Sequence, residues 1–239
     1  IKVFFIIFLI ILLIYFFYLF FIQQKFSKNY VYFIQKYSNT YNFNLINIEI
    51  NNLNNLNELD VLSYFDEYKG KSIFLIPIKR IAKDMQLNKW IKELNIQSDY
   101  KNTIKVFIEE EQPLGIYIYN NQRILFSKNQ VLLKTLTNKE EFNELINFYG
   151  QNSINNSKAL ISIIENYLIR DVKKAIFIEN RRWDLLLKNN ILLKMPEKNM
   201  INALKNYNKI YKNVSNKDLK DIESIDLRIN NQAIIKYHN

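Results

Sequence analysis

The chain has 239 residues, 49% of them hydrophobic, and a formal charge of +10, enough for one or two modest cores once any membrane segment is set aside. The absence of cysteine excludes disulfides, thiol nucleophiles and thiolate metal sites, and three isolated glycines leave no phosphate-cradling loop. The lysines are scattered singly among Asn, Ile, Tyr and Phe, so the positive charge forms no stripe of the kind that nucleic-acid binders carry.

From Val3 to Ile22 every side chain is apolar or aromatic. Such a run, rising about 1.5 Å per residue, matches the roughly 30 Å core of a bilayer, so residues 1–24 are read as a transmembrane anchor. Gln23, Gln24, Lys25 and Phe26 follow directly, where a cleaved signal peptide would have small residues. Tyr15 and Tyr18 suit an interfacial position near the far end. Lys2 precedes the run while Lys25 and Lys28 follow it, and charge counting alone would leave the bulk of the chain in the cytoplasm. The chain begins with Ile, which implies that an upstream cytoplasmic tail is missing. Residues 25–40 lack clear periodicity and are read as a juxtamembrane connector.

The first folded domain is placed at residues 41–116. Phe43, Leu45, Ile46, Ile48 and Ile50 give a partly alternating strand, ended by the turn-forming "NNLNNLN". Leu59, Leu62, Tyr64 and Phe65 fall at helical spacing and stop at Gly70. Pro77 opens a second helix, Ile78 to Leu87, with Ile78, Ile81, Ala82 and Met85 on one face. Ile91, Leu94 and Ile96 form the next strand, and Ile104, Val106 and Ile108 alternate in the one after. The order strand, helix, helix, strand, strand predicts a small α+β unit with its helices on one face of the sheet.

The second domain is placed at residues 117–239. "LGIYIYNNQRILFS" reads as two strands joined by a tight turn at Asn120 and Asn121. Helices are expected from Lys139 to Tyr149 and from Ser157 to Arg170, then strands at Val172–Ile178, Trp183–Leu187 and Ile191–Met195. In the hairpin closed by Asn189 and Asn190, Leu187 is expected to face Leu192, Leu186 to face Leu193 and Lys188 to face Ile191. A helix from about Glu197 to Tyr211 and a strand pair, Ser224–Ile229 and Ala233–Tyr237, complete the chain. The fold class expected is α+β, with one N-terminal transmembrane helix and a C-terminal mixed α/β domain on a largely antiparallel sheet.

No catalytic constellation emerges. His238 is the only histidine and lies beside the C-terminus, so no histidine-based triad or multi-histidine metal site can form. Glu109, Glu110 and Glu111 could serve a hard cation, but side chains in a strand alternate faces, and a solvated strand end is the reading preferred. Arg181 and Arg182 beside Trp183 stand almost alone among basic residues. They are read as either solvated residues at the start of a strand or the border of a protein-binding surface, not as a nucleic-acid contact. No cofactor, metal, small-molecule substrate or nucleic-acid partner is expected.

Four stretches resemble the bacterial FtsQ family (DivIB in Gram-positive organisms), in the family's order and behind one apolar segment. "WIKELNIQSDYKNTIKVFIEEEQPLGIY", from Trp90 to Tyr117, is similar to the run in which Trp-hydrophobic-Lys opens a strand and an alternating strand ends in Glu-x-x-Pro, here Glu110 and Pro113. "LINFYG", Leu145 to Gly150, is similar to Leu-Pro-x-x-x-Gly. "RRWDLLLKNNILLKMPE" resembles an Arg-Arg-Trp-x-Leu hairpin, and "IDLRI", Ile225 to Ile229, a Val-Asp-Leu-Arg-Tyr strand. The departures fall in turns: Lys101 and Ile146 for proline, Ser127 and Gln130 in an Asp-x-x-Gly, Asn190 for glycine. Asn tolerates positive φ and can partly replace Gly.

The resemblance implies a bitopic protein of the bacterial inner membrane with a POTRA domain followed by a β-domain, its bulk on the periplasmic side and gathered at the division septum. It further implies a non-enzymatic scaffold that binds single-pass FtsB-like and FtsL-like partners and other divisome components, and helps to localise and regulate septal peptidoglycan synthesis. In the family a partner adds a strand to the last strand of the β-domain. The matching segment comprises Ile229, Asn230, Asn231, Gln232, Ala233, Ile234, Ile235 and Tyr237, with Arg181 or Arg182 beside it, and Ile229 and Tyr237 at the places of the family's aromatic contacts. Alternatively, Ile234 and Ile235 are simply core. Other readings are a POTRA-type protein of outer-membrane assembly or secretion, which usually has several such units, and a membrane-anchored extracytoplasmic enzyme.

Overall fold

The structure, a computed structural model, describes all residues except 1, 52, 139, 169–170, 214–217 and 239, and leaves out the side chains of residues 2–8, 20–28 and 218. The chain divides into two compact units, Ile1–Glu110 and Glu111–Asn239.

The first unit opens with a single helix, α1 (Lys2–Tyr41), where residues 25–40 were expected to be an irregular connector. The helix persists because its polar flank is fastened near its end. The Ser38 and Ser72 hydroxyls, both buried, lie 2.6 Å apart, and the Ser72 N–H donates to Gln35 Oε1 at 2.8 Å. It stops at Asn42, whose φ of 59° is left-handed, while the Phe43 N–H reaches back to the Ser38 carbonyl at 2.9 Å. This is the Schellman arrangement, with Asn in the usual place of Gly. The side chains described in the apolar run, Leu9 to Leu19, are all at least 44% exposed. Among the described residues no helix is long and apolar enough to cross a membrane, and the rest of the expected span, Val3 to Ile22, lies outside the described side chains.

Beyond α1 come β1 (Asn47–Asn51), α2 (Glu58–Ser63), α3 (Ile78–Met85), β2 (Ile91–Ser98) and β3 (Thr103–Glu110). The sheet order is β1-β3-β2, with β1 parallel and β2 antiparallel to β3. Alternation in β3 buries Ile104, Val106 and Ile108 against Val61, Phe65, Ile81 and Met85, one core between the helices and the sheet. Asn57 caps α2 by accepting the Leu59 N–H at 3.0 Å. In the β2–β3 turn Tyr100 has φ 57°, and Asp99 Oδ1 accepts the N–H groups of Lys101, Asn102 and Thr103 at 2.8, 3.0 and 2.9 Å. The proline absent at Lys101 is thus replaced by an aspartate that gathers the turn.

The second unit is a nine-stranded mixed sheet of order β12-β11-β10-β9-β8-β7-β4-β5-β6. Its strands are β4 (Pro113–Tyr119), β5 (Gln122–Ser127), β6 (Leu132–Leu136), β7 (Asn147–Tyr149), β8 (Val172–Ile178), β9 (Arg182–Leu187), β10 (Leu192–Lys194), β11 (Ile222–Asp226) and β12 (Ile234–Tyr237). The β4–β5 turn has Asn120 and Asn121 at φ 47° and 61°, the type that two consecutive Asn residues favour. Helices α4 (Ser153–Ile164) and α5 (Met200–Asn213) share one core with the sheet. At its centre Trp183 packs on Phe177 and Phe148, ring centroids 4.6 and 6.0 Å away.

The helix expected over Lys139–Tyr149 is not formed. Phe142 at φ 55° breaks it, and Asn147–Tyr149 becomes β7, slotted between β4 and β8 and parallel to both. Gly150 ends this strand with φ +96°, and a Cβ there would lie 2.3 Å from the Phe177 carbonyl oxygen. This explains why a glycine stands in "LINFYG". The sequence reading also missed β6.

The β9–β10 hairpin closes one residue away from the expected register, with Leu186 facing Leu192 and Leu185 facing Leu193. Asn190 at φ 67° allows a longer loop, closed by Asn190 N–H to Leu187 O and Leu187 N–H to Ile191 O, both 3.0 Å. The reason lies in the faces. The expected register would put Lys194 opposite Leu185 in the core, whereas the observed one sets it opposite Asp184.

At the start of α4 the Ser153 hydroxyl is buried without a hydrogen-bond partner. An unpaired buried hydroxyl costs about 1–3 kcal/mol. Ser153→Ala is therefore expected to raise stability by about 1 kcal/mol, read as a higher urea midpoint at unchanged slope.

Candidate functional site

Strand β12 is the terminal strand of the sheet, paired on one side only, with β11. Ile225 faces Ile235 and Asp226 faces Ile234 in that ladder. Alternation turns Ile235 toward the core, where it is partly buried, and Ile234 to the opposite face, 58% exposed, while Tyr237 is 49% exposed because it stands at the end of the strand. An edge strand with exposed apolar side chains and unpaired backbone groups can accept a further strand. Lys236 pairs with Glu223 across the ladder at 2.6 Å. That contact holds the Glu223 carboxyl below its usual range.

The other residues singled out from sequence are placed differently. Asn230, Asn231 and Gln232 form the turn between the last two strands, and Ile229, expected at the end of the strand before it, lies in that turn too: Asn231 has φ 59° and the Gln232 N–H reaches Ile229 O at 3.2 Å. Ala233 is the last residue before the strand and packs on the core. Arg181 is exposed and pairs with Glu179 at 2.8 Å. Arg182 is largely buried and directed at Asp184. From β9 to β12 there are three strand spacings, about 14 Å, so Arg182 is not adjacent to the edge.

A charged row escaped the sequence reading. Register aligns Asp184, Lys194 and Asp226 across β9, β10 and β11, and the next position in that row is Ile234. Arg228 clasps Asp226 through Nη2 at 2.6 Å and Nε at 2.9 Å, which keeps the Asp226 carboxyl below its ordinary range. Asp184 goes the other way: burial pushes its carboxyl up, outweighing Arg182, Lys194 and Arg228.

Of "EEE", Glu109 is an exposed residue near the end of β3, as expected, but its two neighbours are not solvated. Glu110 and Glu111 are 8% and 5% exposed. Glu110 accepts the N–H groups of Asn54, Asn55 and Leu56 at 2.7, 2.8 and 3.2 Å and the Asn55 side-chain amide at 3.0 Å. Glu111 accepts from the Asn129 amide. Among the described residues no three carboxylates or imidazoles converge as a metal site would require.

Strand, helix, helix, strand, strand, with the last strand central, followed by a mixed α/β domain with a free terminal strand, defines a POTRA-plus-β-domain protein. The description "POTRA domain, FtsQ-type" matches residues 43–111, and "Cell division protein FtsQ/DivIB, C-terminal" matches residues 116–228. The chain is 30% identical to the cell division protein FtsQ of Rickettsia typhi over 198 residues, covering 81% of this chain and 73% of that one. It is 30% identical to the FtsQ of Rickettsia prowazekii over 197 residues, 81% of this chain and 72% of the other. To the FtsQ of Rhizobium radiobacter it is 26% identical over 150 residues, 62% and 70% of the two chains. The chain belongs to the FtsQ/DivIB family of cell division proteins.

Proposed function

We propose that the protein is a non-enzymatic scaffold of the divisome whose β12 edge receives a strand from a single-pass FtsB-like partner that comes together with an FtsL-like one. Through them it helps to localise and regulate septal peptidoglycan synthesis. The apolar run of α1 serves as a single anchor in the inner membrane, with both units on the periplasmic side and the protein concentrated at the septum. The observation that carries this reading is the one-sided pairing of β12 beside exposed Ile234 and Tyr237. Added backbone hydrogen bonds would supply affinity, and the exposed side chains selectivity. Ile229, half exposed in the preceding turn, extends the surface.

Tyr237→Ala is expected to weaken the partner about thirtyfold, about 2 kcal/mol. Ile229→Glu is expected to abolish co-purification with the extracytoplasmic segment of the FtsB-like protein. Both variants should retain the circular dichroism and melting profile of the parent. A folded variant that still co-purifies at the parent's level contradicts the edge reading.

A further inference from the structure

We infer that a hollow of about 500 Å³ along the outward face of α5 receives an acidic, extended stretch of the same partner chain whose strand is added to β12. Such a stretch continues from the strand received at the edge, so this site rests on the edge reading and gives the partner a charge pattern. Helix α5 sends Ala203, Leu204 and Tyr207 into the core, and its period gathers three of the chain's singly scattered lysines, Lys205, Lys209 and Lys212, on the exposed side. All three line the hollow. Asn231 joins them from a different segment, the turn that leads into β12. From Asn231 to Ile234, where β12 begins, the chain can reach at most about 11 Å. Partner residues that run past that end of the edge arrive at α5.

The charge on α5 is unanswered. From Met200 to Asn213 the helix has no acid, and none of the three lysines makes an ion pair among the described residues. Lys205 and Lys209 are like charges one turn apart, as are Lys209 and Lys212, which disfavours the helix that carries them. The helix dipole offsets Lys212, in the last turn, but not Lys205 near the middle. The edge differs in this respect. Lys236 on β12 is paired with Glu223 and Arg228 with Asp226, both at 2.6 Å. An acidic partner therefore meets unpaired positive charge on α5 rather than on the last two strands.

Spacing selects the ligand. Along the helix axis Lys205 and Lys209 stand about 6 Å apart, and Lys209 and Lys212 about 4.5 Å. Alternate residues of an extended chain recur every 6.7 Å or so, about the same interval, and the flexible lysine stems take up the difference. Acids at every second position of the partner thus meet successive lysines. From Asn202 to Lys212 the lining runs about 15 Å, room for about four extended residues and far more than one phosphate occupies. The amides of Asn202, Asn206 and Asn231 can both donate to and accept from the backbone of such a chain. Among the described residues no aromatic side chain lines the hollow, so a nucleobase has nothing to stack on.

The test measures association and dissociation of the extracytoplasmic segment of the FtsB-like protein on the full chain in nanodiscs. The triple variant Lys205→Gln, Lys209→Gln, Lys212→Gln, which keeps helix propensity, is expected to associate about tenfold more slowly at low salt, with dissociation nearly unchanged. High salt should remove most of that difference. Tyr237→Ala should act on dissociation instead. If the triple variant associates as fast as the parent at low salt, the α5 site is overturned and the edge reading stands; if Tyr237→Ala changes nothing while the lysines matter, the edge reading falls alone. The synthetic peptide Glu-Ser-Glu-Ser-Glu, titrated by itself, should shift the side-chain amide resonances of Asn206 and Asn231 in the parent and not in the triple variant. No saturable shift overturns the site whether or not the FtsB-like segment binds. Equal shifts with Lys-Ser-Lys-Ser-Lys, or with inorganic phosphate at matched ionic strength, overturn it as well.

Discussion

Replacing Arg182 with methionine should lower the melting temperature of the second unit by about 10 °C at neutral pH, corresponding to a loss of about 3 kcal/mol. The guanidinium of Arg182 and the carboxylate of Asp184 are 17% and 11% exposed, so removing the cation strands an anion away from water. Lys194 and Arg228 offset this only in part, because burial already outweighs all three cations at Asp184. The pH dependence identifies the cause. A carboxyl whose folded pKa is raised contributes stability below its unfolded pKa and loses that contribution as pH rises through the folded value. The penalty of Arg182→Met should therefore shrink toward acid and be fully developed at pH 7, as measured by calorimetry at several pH values. The double variant Arg182→Met, Asp184→Leu should recover most of the loss, since matched apolar replacements of buried pairs are often neutral. A penalty independent of pH would assign the effect to lost packing.

Glu110→Ala should destabilise the first unit by about 3 kcal/mol, with the amides of Asn54, Asn55 and Leu56 exchanging faster with solvent than in the parent. One carboxylate holds Asn54, Asn55 and Leu56 of the polar loop between β1 and α2, through four hydrogen bonds from residues that lie more than fifty positions earlier. Burial alone would raise its pKa, but these donors prevail and lower it. The sign is opposite to that of Asp184: the stabilisation is present above the ordinary glutamate value of 4.5 and is lost as pH falls through the lowered one. Acid should thus loosen the first unit's loop while relieving the buried acid of the second, and exchange rates measured at pH 7 and pH 4 would separate the two.

What could be read from sequence was whatever local pattern imposes. Ile104, Val106 and Ile108 alternate, Ile81 and Met85 recur at helical spacing, and Asn120–Asn121 makes a turn unaided. The family's absent glycines at Gln130 and Asn190 were also informative, because both residues take the left-handed conformation, at φ 66° and 67°. Hidden features were those that depend on distant register. β7 is three residues long and is a strand only because β4 and β8 flank it. The row Asp184, Lys194, Asp226 exists only once the hairpin register is known, and a shift of one residue would dissolve it. Arg181 and Arg182 looked equivalent in sequence, yet the pleat sends one to solvent and the other inward. The free edge was legible through the family resemblance, whereas the part of Ile229 changed: it stands in the turn, not in the strand.

The seam of Gln35, Ser38 and Ser72 makes α1 a keyed shaft. Because the helix runs unbroken from its apolar portion to Tyr41, its register sets the heading of the first unit as well as its height. One residue added between Ile22 and Gln35 would lift the unit by about 1.5 Å and swing it about 100° around the shaft. Seven added residues would restore the heading to within about 20° at roughly 10 Å greater height. The direction in which the rest of the first unit faces, relative to the apolar portion of α1, is thereby written into the count of residues between them.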